Sequence, residues 1–162
     1  MTVGKIADQT YTGKAVKPSV SIKNGNSRLK EGTDYTLTYK NNTRIGTASV
    51  TINGKGKYSG SKTVSFNIVP GTSKLSVKTS GSTLKFSWSA VKGAGGYQLY
   101  YSVNGGSYKS LTFTSKTSYS NAKLDPKSNS LSFKVRAYKK SGSKTYYGAW
   151  SNVVTIKAGL PV

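Results

Sequence analysis

Apolar residues recur at every second position in short runs along this chain. Tyr35, Leu37 and Tyr39 alternate with Thr36, Thr38 and Lys40; Ala48, Val50 and Ile52 alternate with Ser49 and Thr51; Val64, Phe66 and Ile68 alternate with Thr63, Ser65 and Asn67. The same beat returns later, with Leu84, Phe86 and Trp88 against Lys85, Ser87 and Ser89, then Tyr97/Leu99/Tyr101/Val103 and Leu131/Phe133/Val135/Ala137. Successive strand side chains point to opposite faces, so a period of two predicts sheets with one buried and one solvated face. No stretch carries an apolar stripe at helical spacing. Asn24-Gly25, Asn53-Gly54 and Asn104-Gly105 tolerate positive φ and are expected to close tight hairpins. The expected fold class is all-β.

The alternation breaks at Val69-Pro70-Gly71-Thr72-Ser73. Proline cannot donate to a sheet ladder and glycine relaxes the backbone, so a joint is expected there between two tandem β-sandwich domains, residues 1–69 and 73–158. Trp88 is expected to be buried between the sheets of the second domain. The run Tyr147 to Ile156 is expected to form a closing strand, with Trp150 partly buried at its start.

Composition narrows the chemistry. The chain has 25 Lys+Arg against 4 Asp+Glu, no His and no Cys, a formal net charge of +21. A His base, a Cys nucleophile and a Cys/His metal site are thereby excluded, and only Asp8, Glu31, Asp34 and Asp125 offer a carboxylate. No enzyme activity and no cofactor are expected. Residues 1–69 carry a net +8 and residues 70–162 a net +13, so the charge is not confined to a tail. Charged partners would be anionic, but 22 of the cations are Lys and only Arg28, Arg44 and Arg136 are Arg. Lysine is a hydrated point charge rather than a planar fork, which argues against nucleic-acid readout. No membrane span is present in the sequence, and Met1-Thr2-Val3-Gly4 opens no secretory signal, so the chain reads as a piece of a longer protein or a soluble cytoplasmic one.

Separated motifs in the second half occur in a telling order: Leu84-x-Phe86-x-Trp88, Gly96-Tyr97-x-Leu99-x-Tyr101, Leu124-x-Pro126, Phe133-x-Val135-x-Ala137 and Trp150-Ser151. Over roughly residues 73–158 the chain resembles a fibronectin type III domain. It departs from that pattern at Leu131, where the family usually has a tyrosine anchoring the corner after Leu-x-Pro. It also lacks Arg-Gly-Asp. In the first half, Tyr11-Thr-Gly13, Leu29-Lys-Glu-Gly32-Thr-Asp34-Tyr35, Tyr39-x-Asn41-Asn42 and Gly54-x-Gly56-x-Tyr58-x-Gly60 are similar to the bacterial immunoglobulin-like repeat of Gram-positive surface and secreted proteins. The two resemblances imply non-catalytic spacer, anchoring or adhesion modules on the cell surface or outside the cell. Neighbouring domains of a parent protein and an anionic cell-wall polymer or polysaccharide are the implied partners, with the chain expected to be a monomer.

The acids and glycines offer few sites. Gly54-Lys-Gly-Lys-Tyr-Ser-Gly60 matches neither phosphate-binding glycine fingerprint and is expected to be a lysine-dressed turn. Glu31 and Asp34 are expected to shape a turn rather than form a hydrolytic pair, and Asp125 to be a turn former before Pro126. A Lys–Asn amide crosslink, which needs a buried acid, is left open only for the first domain, through Glu31 or Asp34. The aromatic residues are the most suggestive feature. By alternation Tyr100 and Tyr138 should be exposed on one sheet face, beside outward Lys134 and Arg136. Such a platform would suit stacking on a sugar or contact with an anionic glycopolymer, which makes a carbohydrate-binding module the alternative reading. The competing expectation is cross-strand aromatic and cation packing that shields the sheet.

Overall fold

A computed structural model describes residues 2–159. Among the described residues every regular element is a strand: β1 (Thr2–Val3), β2 (Gln9–Thr10), β3 (Ile22–Asn24), β4 (Ser27–Arg28), β5 (Tyr35–Lys40), β6 (Gly46–Gly54), β7 (Ser61–Val69), β8 (Leu75–Ser80), β9 (Thr83–Trp88), β10 (Gly96–Val103), β11 (Lys109–Thr114), β12 (Ser118–Asn121), β13 (Leu131–Ser141), β14 (Lys144–Tyr147) and β15 (Val154–Ile156). The chain divides into two compact units, Met1–Val69 and Pro70–Val162. The all-β class follows from the period-two pattern, and the strands within each unit fall into two sheets consistent with a β-sandwich.

In the first unit a four-stranded sheet runs β2-β7-β6-β5 and a small one β1-β3-β4. Strands β5, β6 and β7 pair antiparallel, while the two residues of β2 pair parallel with the end of β7, Gln9 opposite Ile68 and Thr10 opposite Val69. Inward residues Tyr35, Ala48, Val50, Ile52, Phe66 and Ile68 meet Val20, Ile22 and Leu29 in one core. Residues 16–20 form no strand, yet alternate carbonyls there are satisfied by side chains. Asn42 Nδ2 donates to Val16 O at 3.0 Å, Tyr39 Oη to Pro18 O at 2.6 Å and Tyr35 Oη to Val20 O at 3.4 Å. A buried carbonyl without a partner is costly, so these donors stand in for an absent neighbouring strand. Burial of the two tyrosine rings, followed by the nearby Glu31 charge, raises both phenol pKa values.

In the second unit a five-stranded sheet runs β11-β10-β13-β14, with β15 also on β13, and a three-stranded sheet runs β12-β9-β8. Leu75, Leu84, Phe86 and Trp88 from the smaller sheet share a core with Tyr97, Leu99, Leu131, Phe133, Val135 and Ala137 from the larger. Phe86 and Phe133 meet edge to face across it at 4.9 Å. Trp88 is buried, as its strand position predicted, and its indole N–H has no hydrogen-bond partner. Leu131, at the corner where the resembled family has a tyrosine, is buried by packing.

The structure corrects two turn and strand expectations. Asn53-Gly54 does not close a hairpin; both residues belong to β6, and the turn follows them. Glycine is needed at 54 because a Cβ there would lie 2.8 Å from the Tyr58 carbonyl oxygen. The stretch from Tyr147 to Ile156 is not one strand either, because residues 148–153 interrupt it. A Cβ at Gly148 would lie 2.7 Å from the carbonyl oxygens of Pro70 and Gly71, so the chain is pressed against backbone there. Beyond it, Ser151 N–H donates to Val135 O at 2.8 Å and Val135 N–H donates to Ser151 Oγ at 3.0 Å. Asn152 then takes both backbone groups of Leu75, Nδ2 donating to its oxygen at 3.0 Å and Oδ1 accepting from its nitrogen at 2.9 Å. The interruption thus ties β13 of one sheet to β8 of the other, which a regular strand in one sheet could not do.

Candidate functional site

The four residues singled out by alternation do share one face. Strand β10 runs beside β13 with Tyr100 opposite Lys134, Gln98 opposite Arg136 and Gly96 opposite Tyr138. Because these are every second residue of their strands, all project from the outer surface of the five-stranded sheet while Tyr97, Leu99, Val135 and Ala137 fill the core.

Tyr100 and Tyr138 are half-buried rather than exposed, which corrects the expected open platform. They also stand four register positions apart, about 13 Å along the strands, with the Gln98–Arg136 pair between them. For Tyr100 the physical cause is the irregular segment after β14, which carries Trp150 back over the sheet. Its ring meets Tyr100 at 5.0 Å in an edge-on arrangement. Tyr138 lies against Gly96, where a Cβ would approach its ring and hydroxyl to 2.7–2.9 Å, and it has Phe113 and Tyr147 on its flanks, each at 6.4 Å. Glycine opposite a large ring lets the ring fold down on the strand, and this removes much of its face from solvent.

Lys134 and Arg136 do not edge a platform; they are held between rings. Lys134 Nζ sits 3.9 Å from the Tyr108 ring centre and 4.5 Å from that of Trp150. The Arg136 guanidinium sits 4.4 Å from Trp150 and 4.0 Å from Tyr147, and its Nε donates to Gln98 Oε1 at 2.8 Å. Tyr108, Lys134, Trp150, Arg136 and Tyr147 therefore form a continuous stack in which rings and cations alternate. Each cation–ring contact supplies roughly 0.5–1 kcal/mol at exposed sites and more when desolvated. Sequence reasoning missed Tyr108, Gln98, Phe113 and the position of Trp150 in this stack. Gln98 and Phe113 are opposite one another, but β11 was not foreseen, and a bulge between Leu99 and Tyr100 shifts its register. Phe113, 55% exposed, is the most open ring on the face.

The carboxylates shape turns. Asp34 Oδ2 accepts the Lys30 N–H at 2.8 Å, and Asp125 Oδ1 accepts the Lys127 N–H at 2.8 Å. A hydrogen bond from the Ser128 side chain, aided by backbone N–H donors, pulls the Asp125 pKa below its ordinary value. Glu31 is exposed, Asp34 half-buried, and the buried polar residues described are Asn42, Ser73, Gln98, Ser102 and Ser151, so the acid that a Lys–Asn crosslink needs is not in a core. Among the described residues no three His, Cys, Asp or Glu side chains gather where they could hold a metal ion. The Gly54–Gly60 segment closes on itself through Gly54 N–H to Gly60 O at 2.9 Å, and Lys55 Nζ donates to Gly32 O at 2.7 Å. At least that lysine is engaged by the protein itself.

Comparison with known proteins finds no family model that matches the chain and no curated protein that matches it.

Proposed function

We propose that the chain is a non-catalytic pair of modules, an immunoglobulin-like domain followed by a fibronectin type III domain, from a surface or secreted protein of a Gram-positive bacterium. In this reading the pair spaces, presents or anchors a neighbouring domain outside the cell, against an envelope polymer of negative charge. The observation that carries the reading is the excess of 25 cations over 4 acids, spread over both units. No arrangement of so few acids can neutralise it. Exposed positive charge of this density attracts anionic polymer over a Debye length of about 8–10 Å at ordinary salt. The motif order given above supports the two module types, and each unit's pair of sheets around one core is the architecture they require.

The carbohydrate-binding alternative is weakened by the geometry of its own site. Tyr100, Tyr138, Lys134 and Arg136 are covered by or inserted between neighbouring rings, so the stack stiffens the sheet and leaves mainly Phe113 and Tyr147 open to a sugar. A co-sedimentation assay on purified Gram-positive cell walls over a salt series tests the choice. Binding that falls steeply with salt and ignores Tyr100→Ala and Tyr138→Ala is expected. Tight retention on one neutral polysaccharide at about 0.5 M salt, where exposed charges are screened, would overturn the reading.

A further inference from the structure

The smaller sheet of the second unit has an outer face of a different character. Pairing across β12, β9 and β8 sets Ser118 opposite Ser87 opposite Ser76, and in the next outward row Ser120 opposite Lys85 opposite Lys78. All six side chains are exposed. One residue before β8, Ser89 N–H donates to Lys74 O at 3.1 Å and Lys74 N–H donates to Ser89 Oγ at 2.8 Å. That continues the pairing and puts Lys74 on the same face, four positions from Lys78, or about 13 Å along the strand.

Lys78 and Lys85 face one another directly, an arrangement in which Cβ atoms stand about 4.5–5.5 Å apart and like charges destabilise the sheet. Among the described residues of this unit no acidic side chain is paired with them. Asp125 is the one carboxylate of residues 70–162, and its own turn occupies it. Small serines on either side keep the face flat and leave the two ammonium groups open, where glutamate at any of those positions would have cancelled the repulsion. A pair that costs stability, sits among hydroxyl donors and has no counter-ion among the described residues of its unit suits an anion brought by a partner.

We propose that this face is the docking surface for a linear phosphate-bearing polymer, with one phosphate bridged between Lys78 and Lys85 and a further one meeting Lys74. Phosphate suits the pair because its several acceptor oxygens can be shared between two compact ammonium groups and the neighbouring serine hydroxyls. The outward positions carry no aromatic ring and no arginine on which a base or sugar could stack, so the polymer is held by its charged groups alone. This surface rests on the anionic-partner reading and gives it an address, distinct from the ring-and-cation stack on the opposite sheet.

Calorimetric titration of the full chain with long-chain inorganic polyphosphate tests it. The proteins compared are the unaltered chain, Lys78→Gln, Lys85→Gln, their double variant, and a control, Lys139→Gln/Lys140→Gln, that removes the same charge from exposed positions on β13. At about 0.15 M salt the double variant should lose about tenfold in affinity and the control no more than about threefold, and the single losses should be non-additive because both lysines share one phosphate. Without polymer, the double variant should melt at or above the unaltered chain, since a like-charge contact is gone. Equal losses in the double variant and the control would overturn this surface while leaving diffuse attraction intact. Equal affinity for polygalacturonate would overturn the choice of phosphate. Failure of every protein to bind any polyanion at about 0.02 M salt, where screening is weak, would overturn the anionic-partner reading itself.

Discussion

Replacing Arg136 with alanine removes the centre of the stack on the five-stranded sheet. The guanidinium lies 4.0 Å from the Tyr147 ring and 4.4 Å from the Trp150 ring, and two such contacts supply about 1–2 kcal/mol together. Its Nε also satisfies Gln98 Oε1 at 2.8 Å, and Gln98 is only 5% exposed. Leaving that buried oxygen unpaired costs about 1–3 kcal/mol. The combined loss should be roughly 2–5 kcal/mol, a large part of the roughly 5–10 kcal/mol expected of a unit this size. Both tryptophans, Trp88 and Trp150, lie in residues 70–162, so tryptophan fluorescence during urea unfolding reports this unit alone. With an m-value of about 1.5 kcal/mol/M the midpoint should fall by roughly 1–3 M. Arg136→Met keeps the aliphatic stem and should lose most of the same energy; Gln98→Ala made in the Arg136→Ala background should cost less than alone, because the two residues are coupled. A loss under about 0.5 kcal/mol in both Arg136 variants, the size of an ordinary surface substitution, would refute the claim that the rings and Gln98 are held together by this cation.

Three further outcomes concern the cores and the protons. Trp88→Ala should cost about 3–5 kcal/mol in the same assay, whereas Trp88→Phe should cost much less, since it keeps an apolar ring and removes an indole N–H that has no partner; equal costs would show that the N–H is satisfied. The depressed pKa of Asp125 means its contribution is present above the unfolded-state value and is lost as pH falls through the lower folded-state value, so Asp125→Asn should flatten the acid limb of the second unit's stability below about pH 4. The raised phenols of Tyr35 and Tyr39 act in the other direction: their contribution is complete below the unfolded-state pKa of about 10 and is lost as pH rises through the folded one. Tyrosinate absorbance should therefore show the first unit opening as these two groups ionise, and normal titration of both in the folded chain would contradict their burial.

Much of the fold was legible because strand periodicity is local. A residue two positions from an inward Leu84 or Val50 must also point inward, so β5, β6, β7, β9, β10 and β13 and the core-facing side chains could be read without knowing their partners. The end of β7 at Val69 was legible for the same reason, since proline withdraws a donor wherever it stands. Short strands with little apolar content, β11 and β12, exist because β10 and β9 offer open edges to pair with, and nothing in Lys109–Thr114 or Ser118–Asn121 announces that. The parity that placed Tyr100, Lys134, Arg136 and Tyr138 on one surface was right, but parity gives a face and not its exposure. For Tyr100, Lys134 and Arg136 exposure was decided by Trp150, which arrives from an irregular segment fastened to Val135 and Leu75 by Ser151 and Asn152, and for Tyr138 by Gly96, Phe113 and Tyr147. In the same way sequence alone set the number of lysines, while only the pairing of β8 with β9 brought Lys78 and Lys85 face to face. Alternation acts within one chain segment, whereas register joins residues whose separation in sequence is unrelated to their distance in space, and it is settled by the whole core at once.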